Sequence, residues 1–381
     1  MKNNTTLRME SPAPPIKVEN WLRGKPLTNF RSGKVYLVEF WATWCAPCVA
    51  AMPHLMQLQE TFRDRGLEVV GVAASERAAT TEGARSGLDA WLTNKFPNLN
   101  FPIAFDSTGE MKKLWMEPSL STGIPTSFMV DRDGHIAFIG DPTDLDNVLP
   151  KVLNGSWRSS DEAKAADKER IAKQEPKARR QALRKPILAK YGAAVEKEDW
   201  KTALSAIEEG IALVPDDIDL RLYHVHLVLN SMQDIPNGLR VMHKLVRDAI
   251  ARHSEHWMTM ALDQLFHPWT DHSRIPSDAR FAMGKRLSEH ILALDPARDQ
   301  SNRLWSYPAV ARYYRESGDK ERAIDLIELA LKSLPEPVPD DVKKYVLPGL
   351  LQMLANYKGE KVCHGSLCVA PQNNDPETVA S

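Results

Sequence analysis

Val35-Tyr-Leu-Val-Glu-Phe-Trp-Ala-Thr-Trp-Cys-Ala-Pro-Cys48 is the stretch on which the reading of this chain turns. Its first eight residues are dominated by β-branched and aromatic side chains and predict a largely buried strand. Beyond Cys45 the apolar positions Leu55, Leu58 and Phe62 fall at helical spacing, and Gly66 offers a C-terminal stop. Two cysteines separated by two residues therefore sit where a strand hands over to a helix. This placement brings the sulfurs within bonding distance and sets the first at the positive end of the helix dipole. Such a thiol is expected to ionise below the ordinary value of about 8.5, toward about 7. Cys45 is then the expected exposed nucleophile, and Cys48 the more buried thiol that resolves a mixed disulfide. Ala46 and Pro47 contribute no charge or side-chain donor, which favours a reducing couple over a strongly oxidising one.

Working outward, Glu68-Val-Val-Gly-Val-Ala73 predicts the next strand, and a helix near 88–96, a strand over 101–106 and a helix near 110–116 follow. Thr126-Ser-Phe-Met-Val-Asp131 and His135-Ile-Ala-Phe-Ile-Gly140 flank Asp133-Gly134, a hairpin signal, and a last helix is expected over 144–153. Strands alternating with helices and closed by a hairpin predict an α/β fold, a mixed central sheet flanked by helices.

The remainder of the chain has a different character. Residues 158–185 hold ten basic and five acidic residues with interleaved signs and almost no large apolar side chain, which reads as a charged helical linker over 158–186 rather than a nucleic-acid contact. From 187 to 357 helical periods dominate and no strand pattern survives. Ala203, Ile207, Gly210 and Pro215 stand at offsets that Ala323, Ile327, Ala330 and Pro335 repeat, and that Gly284, Ser288, Ile291 and Pro296 repeat loosely. Small residues at fixed offsets allow paired helices to approach, so an all-α helical-repeat domain, similar to degenerate tetratricopeptide repeats, is expected there. Residues 358–381 are expected to form a flexible tail. The domain reading is thus 1–157, 158–186, 187–357 and 358–381.

Composition narrows the classes. With 381 residues, 43% apolar and 26% charged, the chain can bury two cores, and a formal charge of −1 points to neither nucleic acid nor membrane. No apolar run reaches the ~18 residues a membrane span needs. Residues 1–15 lack the apolar stretch of a secretory signal, which sets the expectation of a cytoplasmic protein, with export the alternative if the start is truncated. Four cysteines, at 45, 48, 363 and 368, are too few for a stapled scaffold. Zinc would need a second compact pair, and the other pair has a different spacing and lies more than 300 positions away, so no metal is expected.

The surroundings of the cysteines carry a resemblance. Trp41-Ala-Thr-Trp-Cys-Ala-Pro-Cys48 resembles the active site of the thioredoxin fold. Gly33-Lys-Val-Tyr-Leu-Val-Glu-Phe-Trp-Ala-Thr-Trp-Cys with Ile124-Pro-Thr-Ser-Phe-Met-Val-Asp-Arg-Asp-Gly134 resembles the TlpA/ResA-like thiol–disulfide oxidoreductases of the redoxin superfamily, over about 12–157. The resemblance implies a buried acid at Glu39 that relays a proton to or from Cys48, a helix proline at Pro53, and a cis-proline at Pro125 shaping the groove for substrate backbone. Trp44, with Ala46, Pro47 and Ile124, would contact substrate. Protein disulfides and dithiols are the implied partners, with an unidentified thiol reductant upstream. No cofactor is implied beyond the Cys45–Cys48 disulfide. Peroxiredoxins share the fold but need Pro-x-x-x-Thr-x-x-Cys; here Val38 and Ala42 occupy those places, so peroxidase chemistry is not expected.

Cys363-His-Gly-Ser-Leu-Cys368 could close a small loop and serve as a relay for Cys45, or be two inert tail thiols. His253, His256, His267 and His272 lack a completing ligand pattern, and Met232, Met258 and Met260 read as helix core. Two functions follow: a disulfide reductase whose helical domain recruits a partner, or a repeat-based adaptor whose redox domain is a switch or passenger. Cys45, Cys48, Glu39 and Pro125 together favour the enzyme.

Overall fold

The computed structural model describes residues 6–78, 80–294, 302–339, 342–365 and 367–372. They fall into two compact units, 1–182 and 183–381.

In the first unit, β1 (Asn20–Arg23), β2 (Val35–Trp41), β3 (Leu67–Ala73), β4 (Ile103–Phe105), β5 (Thr126–Val130) and β6 (Ile136–Gly140) form one sheet in the order β1-β4-β3-β2-β5-β6. β2 lies at the centre, every residue buried. It runs parallel to β3, with Glu39 opposite Gly71, and antiparallel to β5, with Glu39 opposite Ser127. Alternation along β2 sorts its side chains between two cores. Val35, Leu37 and Trp41 join the helical layer of α1 (Ala46–Phe62), α2 (Thr81–Lys95) and α3 (Leu145–Leu153). Tyr36, Val38 and Phe40 pack on the other face with Met111, Trp115 and Phe128. Full burial of side chains of this size contributes roughly 1.5–3 kcal/mol each. This is the thioredoxin-like α/β arrangement.

Local chemistry explains the boundaries. α1 passes through one turn of 3-10 helix and ends at Gly66, whose φ of +92° is readily adopted without a Cβ. Gln59 of α1 accepts from the Val69 amide at 2.7 Å, tying the helix to β3. Thr80 caps α2 by accepting from the Gly83 amide, so this helix starts earlier than its apolar residues predict. The helix expected near 110–116 is a π-helical turn over Lys112–Met116. Asp106 holds its start by accepting from the Met111 and Lys112 amides. β1 escaped the sequence reading. Residues ahead of it are packed as well: Leu7, Met9 and Ile16 are buried, and Glu10 donates its amide to the Ile136 carbonyl at 2.9 Å.

The charged stretch is one helix, α4 (Asp161–Val195). Up to residue 182 it belongs to the first unit, where Ala163 is buried, Asp167 accepts from the Met9 amide and Arg170 donates to the Ser119 carbonyl at 2.7 Å. From Leu183 it belongs to the second, where Arg184 pairs with Asp217 at 2.9 Å. Within each unit these side chains have partners of that unit, so the charges of this stretch are used in packing as well as in solvation.

The second unit continues with α5 (Trp200–Leu213), α6 (Ile218–His226), α7 (Ile235–Ala251), α8 (Glu255–Phe266), α9 (Ser277–Leu292), α10 (Arg303–Glu316), α11 (Lys320–Lys332) and α12 (Leu347–Lys358). The recurring small residues are buried: Ala203, Ile207 and Gly210 on α5, Gly284, Ser288 and Ile291 on α9, Ala323, Ile327 and Ala330 on α11. A Cβ at Gly284 would stand 2.4 Å from Phe266 of α8, so glycine permits that approach. Pro296, the last member of the loose repeat, lies outside the described residues. Met258 is fully buried, and Met232 and Met260 are partly buried against apolar clusters. Among the described residues no helix is long and apolar enough to cross a membrane, and no group of three His, Cys, Asp or Glu side chains could hold a metal ion.

The tail departs from expectation. β7 (Val362–His364) and β8 (Leu367–Val369) form a hairpin closed by a Cys363–Cys368 disulfide, and Val362 and Val369 pack against the cluster of Leu347, Leu350 and Leu351. Residues 373–381 lie outside the described part.

Candidate active site

Cys45 is the N-cap of α1 and is joined to Cys48 by a disulfide, their Cα atoms 5.3 Å apart. The Cys48 amide donates to Cys45 Sγ at 3.3 Å. Pro47 occupies the first turn, where a missing N–H costs no helix bond, and no acidic residue lies in that turn. After reduction, the same amide and the helix dipole favour a thiolate at Cys45, with no nearby carboxylate in the turn to oppose it. Both cysteines are covered, Cys45 at 5% exposure and Cys48 at 2%, so the expected contrast between an exposed and a buried sulfur is small in the disulfide form. Cys45 Sγ lies 3.8 Å from the Ile124 carbonyl, which helps to cover it.

Pro125 follows through a cis peptide bond and stands immediately before β5. Thr126 Oγ1 donates back to the Gly123 carbonyl at 2.8 Å, holding the loop that carries Ile124 beside the sulfur. Pro53 lies inside α1.

Glu39 is on the face of β2 that carries Trp41 toward α1, the face to which Cys45 and Cys48 also belong. It is 1% exposed, flanked across the sheet by the small residues Gly71 and Ser127. Burial pushes its pKa up to about 8; Ser127 Oγ donates to Oε2 and offsets part of this, and the nearby charge of Asp141 adds to the rise. Its other oxygen, Oε1, is buried and has no hydrogen-bond partner. A carboxyl that changes protonation near neutrality, on the sheet face against which the two cysteines pack, can give or take the proton that exchange requires.

Trp44 is 44% exposed, and its indole nitrogen donates to the Ser75 carbonyl at 2.7 Å. The Arg77 guanidinium sits 4.0 Å above its ring. Glu76 accepts from the Thr43 amide at 2.8 Å and from its hydroxyl at 2.6 Å. Ser75, Glu76 and Arg77 thus clamp the turn before Cys45, and the sequence reading found none of them. Nor did it find Ser127, although alternation from Pro125 along β5 could have placed it opposite Glu39. Ala46 is partly buried and Pro47 exposed, both beside the sulfurs. Cys363 and Cys368 are brought together by their own hairpin.

The chain is similar to known redox proteins. Residues 9–139 match the AhpC/TSA family. Protein FixW of Rhizobium leguminosarum is 47% identical over 217 residues, which covers 57% of this chain and 96% of that protein. The thiol-disulfide oxidoreductase ResA of Bacillus thuringiensis is 32% identical over 117 residues, 30% of this chain and 60% of that protein. A thiol:disulfide interchange protein of Chlorobium tepidum, of known structure, is 28% identical, with 38% of this chain and 97% of that chain covered and a TM-score of 0.32. Val38 and Ala42, both buried and apolar, stand where peroxide chemistry in this fold would need proline and threonine. The chain belongs to the ResA-like branch of the AhpC/TSA redoxins and is a thiol–disulfide oxidoreductase of thioredoxin-like fold.

Proposed function

We propose that this enzyme works as a reductase of protein disulfides, with its helical unit recruiting the client. The observation that supports the direction is the turn after Cys45, where Ala46 and Pro47 bring no charge or side-chain donor to hold the thiolate and no acid lies in the first turn. In the reduced enzyme, the Cys45 thiolate attacks a client disulfide, one client sulfur leaves, and Cys45 becomes part of a mixed disulfide. Cys48 then loses its proton toward Glu39 and attacks Cys45 Sγ, which releases the second client sulfur and forms the Cys45–Cys48 bond. Ile124, Pro125 and Trp44 border the sulfur where client backbone would lie, and the scheme needs no cofactor beyond the disulfide. An upstream dithiol restores the reduced state.

The helical unit leaves Trp269 at 93% exposure and Trp305 at 62%, and these two side chains are where we place client recruitment. The test of the reductase reading is insulin reduction by dithiothreitol. The parent should accelerate precipitation and Cys45→Ser should leave it at the uncatalysed rate; equal rates would remove the enzyme reading and leave the adaptor.

A further inference from the structure

The second cysteine pair has the placement of an exchange site and not of a staple. β7 and β8 are three residues each and pair only with one another, with Val362 opposite Val369, Cys363 opposite Cys368 and His364 opposite Leu367. Side chains alternate across such a ribbon. Val362 and Val369 turn toward α12 and are partly buried, so Cys363 and Cys368 occupy the opposite, solvent-facing side, and both are exposed. Further contacts hold the hairpin's end to α12: Gln352 donates to the Ala370 carbonyl at 3.0 Å, and the Gln372 amide donates to Asn356 at 2.8 Å. These contacts and the two valines fix the hairpin from the side that lacks sulfur. A disulfide that joins residues five apart in sequence constrains the unfolded chain less than one that closes a long loop, since the constraint grows with loop length. The bond is open to an attacking thiolate from the solvent side.

Cys45 and Cys48 show the complementary arrangement. Their sulfurs are recessed, at 5% and 2% exposure, under Ile124 and beside Trp44. A recessed nucleophile needs a disulfide that is itself exposed, and both cysteines of the β7–β8 hairpin lie on its solvent-facing side.

We propose that Cys363–Cys368 is a second redox couple of this protein, one that exchanges two electrons with a thioredoxin-type dithiol, represented on this chain by Cys45–Cys48. The proposal rests on the thiol–disulfide activity of Cys45 and adds a disulfide on which it acts. The Cys45 thiolate attacks one hairpin sulfur; the Cys363–Cys368 bond breaks and the leaving thiolate takes up a proton. Cys48, losing its proton, attacks Cys45 Sγ, the mixed disulfide breaks and the second hairpin sulfur leaves as a thiol. Cys45–Cys48 is oxidised, Cys363–Cys368 is reduced, and two protons move with the two electrons. The reverse sequence oxidises the hairpin's thiols, so the pair can store reducing equivalents between client turnovers.

The full-length Cys48→Ala variant tests this, since its mixed disulfides cannot resolve. After mild reoxidation, peptides are mapped without reduction, and the same sample is challenged with 5,5′-dithiobis(2-nitrobenzoate). The expected result is a peptide linking Cys45 to Cys363 or Cys368. A link found in monomers at all dilutions assigns the exchange to one chain, and a link confined to covalent dimers assigns it to two copies. If Cys45 captures the small disulfide but never a hairpin cysteine, the second couple is overturned and the enzyme reading stands. If Cys45 captures neither, both fall together.

Discussion

At the scale of single residues, Glu39 is the group whose behaviour departs furthest from its free value. Its pKa rises from 4.5 to about 8 because burial penalises the charged form. In the window between those values, the unfolded chain gives up the Glu39 proton while the folded chain retains it. Stability is thus undiminished by this group below pH 4.5, declines as pH rises, and levels off above about 8. Glu39→Gln removes the titration. Denaturant unfolding of the disulfide form should therefore show the variant gaining on the parent, by on the order of 4 kcal/mol, as pH rises from 4.5 to 8. Parallel stability curves would show that Glu39 is not protonated in the folded protein near neutrality. Turnover should suffer in the same variant increasingly as pH rises toward 8, where Glu39 of the parent is ionised and can take the proton of Cys48.

At the scale of elements, the proposed mechanism has the N-terminus of α1 set the reactivity of Cys45, and the first turn contains no acid to oppose it. Ala46→Glu would add one beside the sulfur. A helix-end charge is worth about 0.3–1 kcal/mol, so alkylation of reduced Cys45 at pH 7 should slow roughly two- to fivefold. An unchanged rate would mean that the helix end does not tune this thiol. The elements that could be read from sequence are those with a local signal: the β-branched run of β2, the Cys-Ala-Pro-Cys turn, Pro125 before β5, and the Asp133-Gly134 hairpin. Small residues on α5, α9 and α11 likewise announced their buried faces. The parts that were not legible depend on partners distant in sequence. β1 is four residues whose pairing with β4 is its reason to exist, and Leu7, Met9 and Ile16 are buried by contacts the segment itself does not advertise. Ser127 and the Ser75–Arg77 clamp belong to the site through cross-strand register and loop packing, and the tail hairpin through Val362 and Val369, each a single apolar residue.

At the scale of the whole molecule, an α/β redox unit and a helical unit share one chain, and recruitment by the second predicts a selective effect. Trp269→Ala combined with Trp305→Ala should reduce the protein mixed disulfides captured by Cys48→Ala from a cell extract. Reduction of a small aromatic disulfide by the otherwise unmodified enzyme should not change with those two substitutions. Equal capture would take client recruitment away from these side chains. The central claim, an activated sulfur at residue 45, is tested most directly by the pH dependence of its alkylation in the fully reduced protein. Iodoacetamide modification of Cys45, followed by mass spectrometry, should titrate with a midpoint near or below about 7. A midpoint at about 8.5, the value of an ordinary free cysteine, would contradict the account.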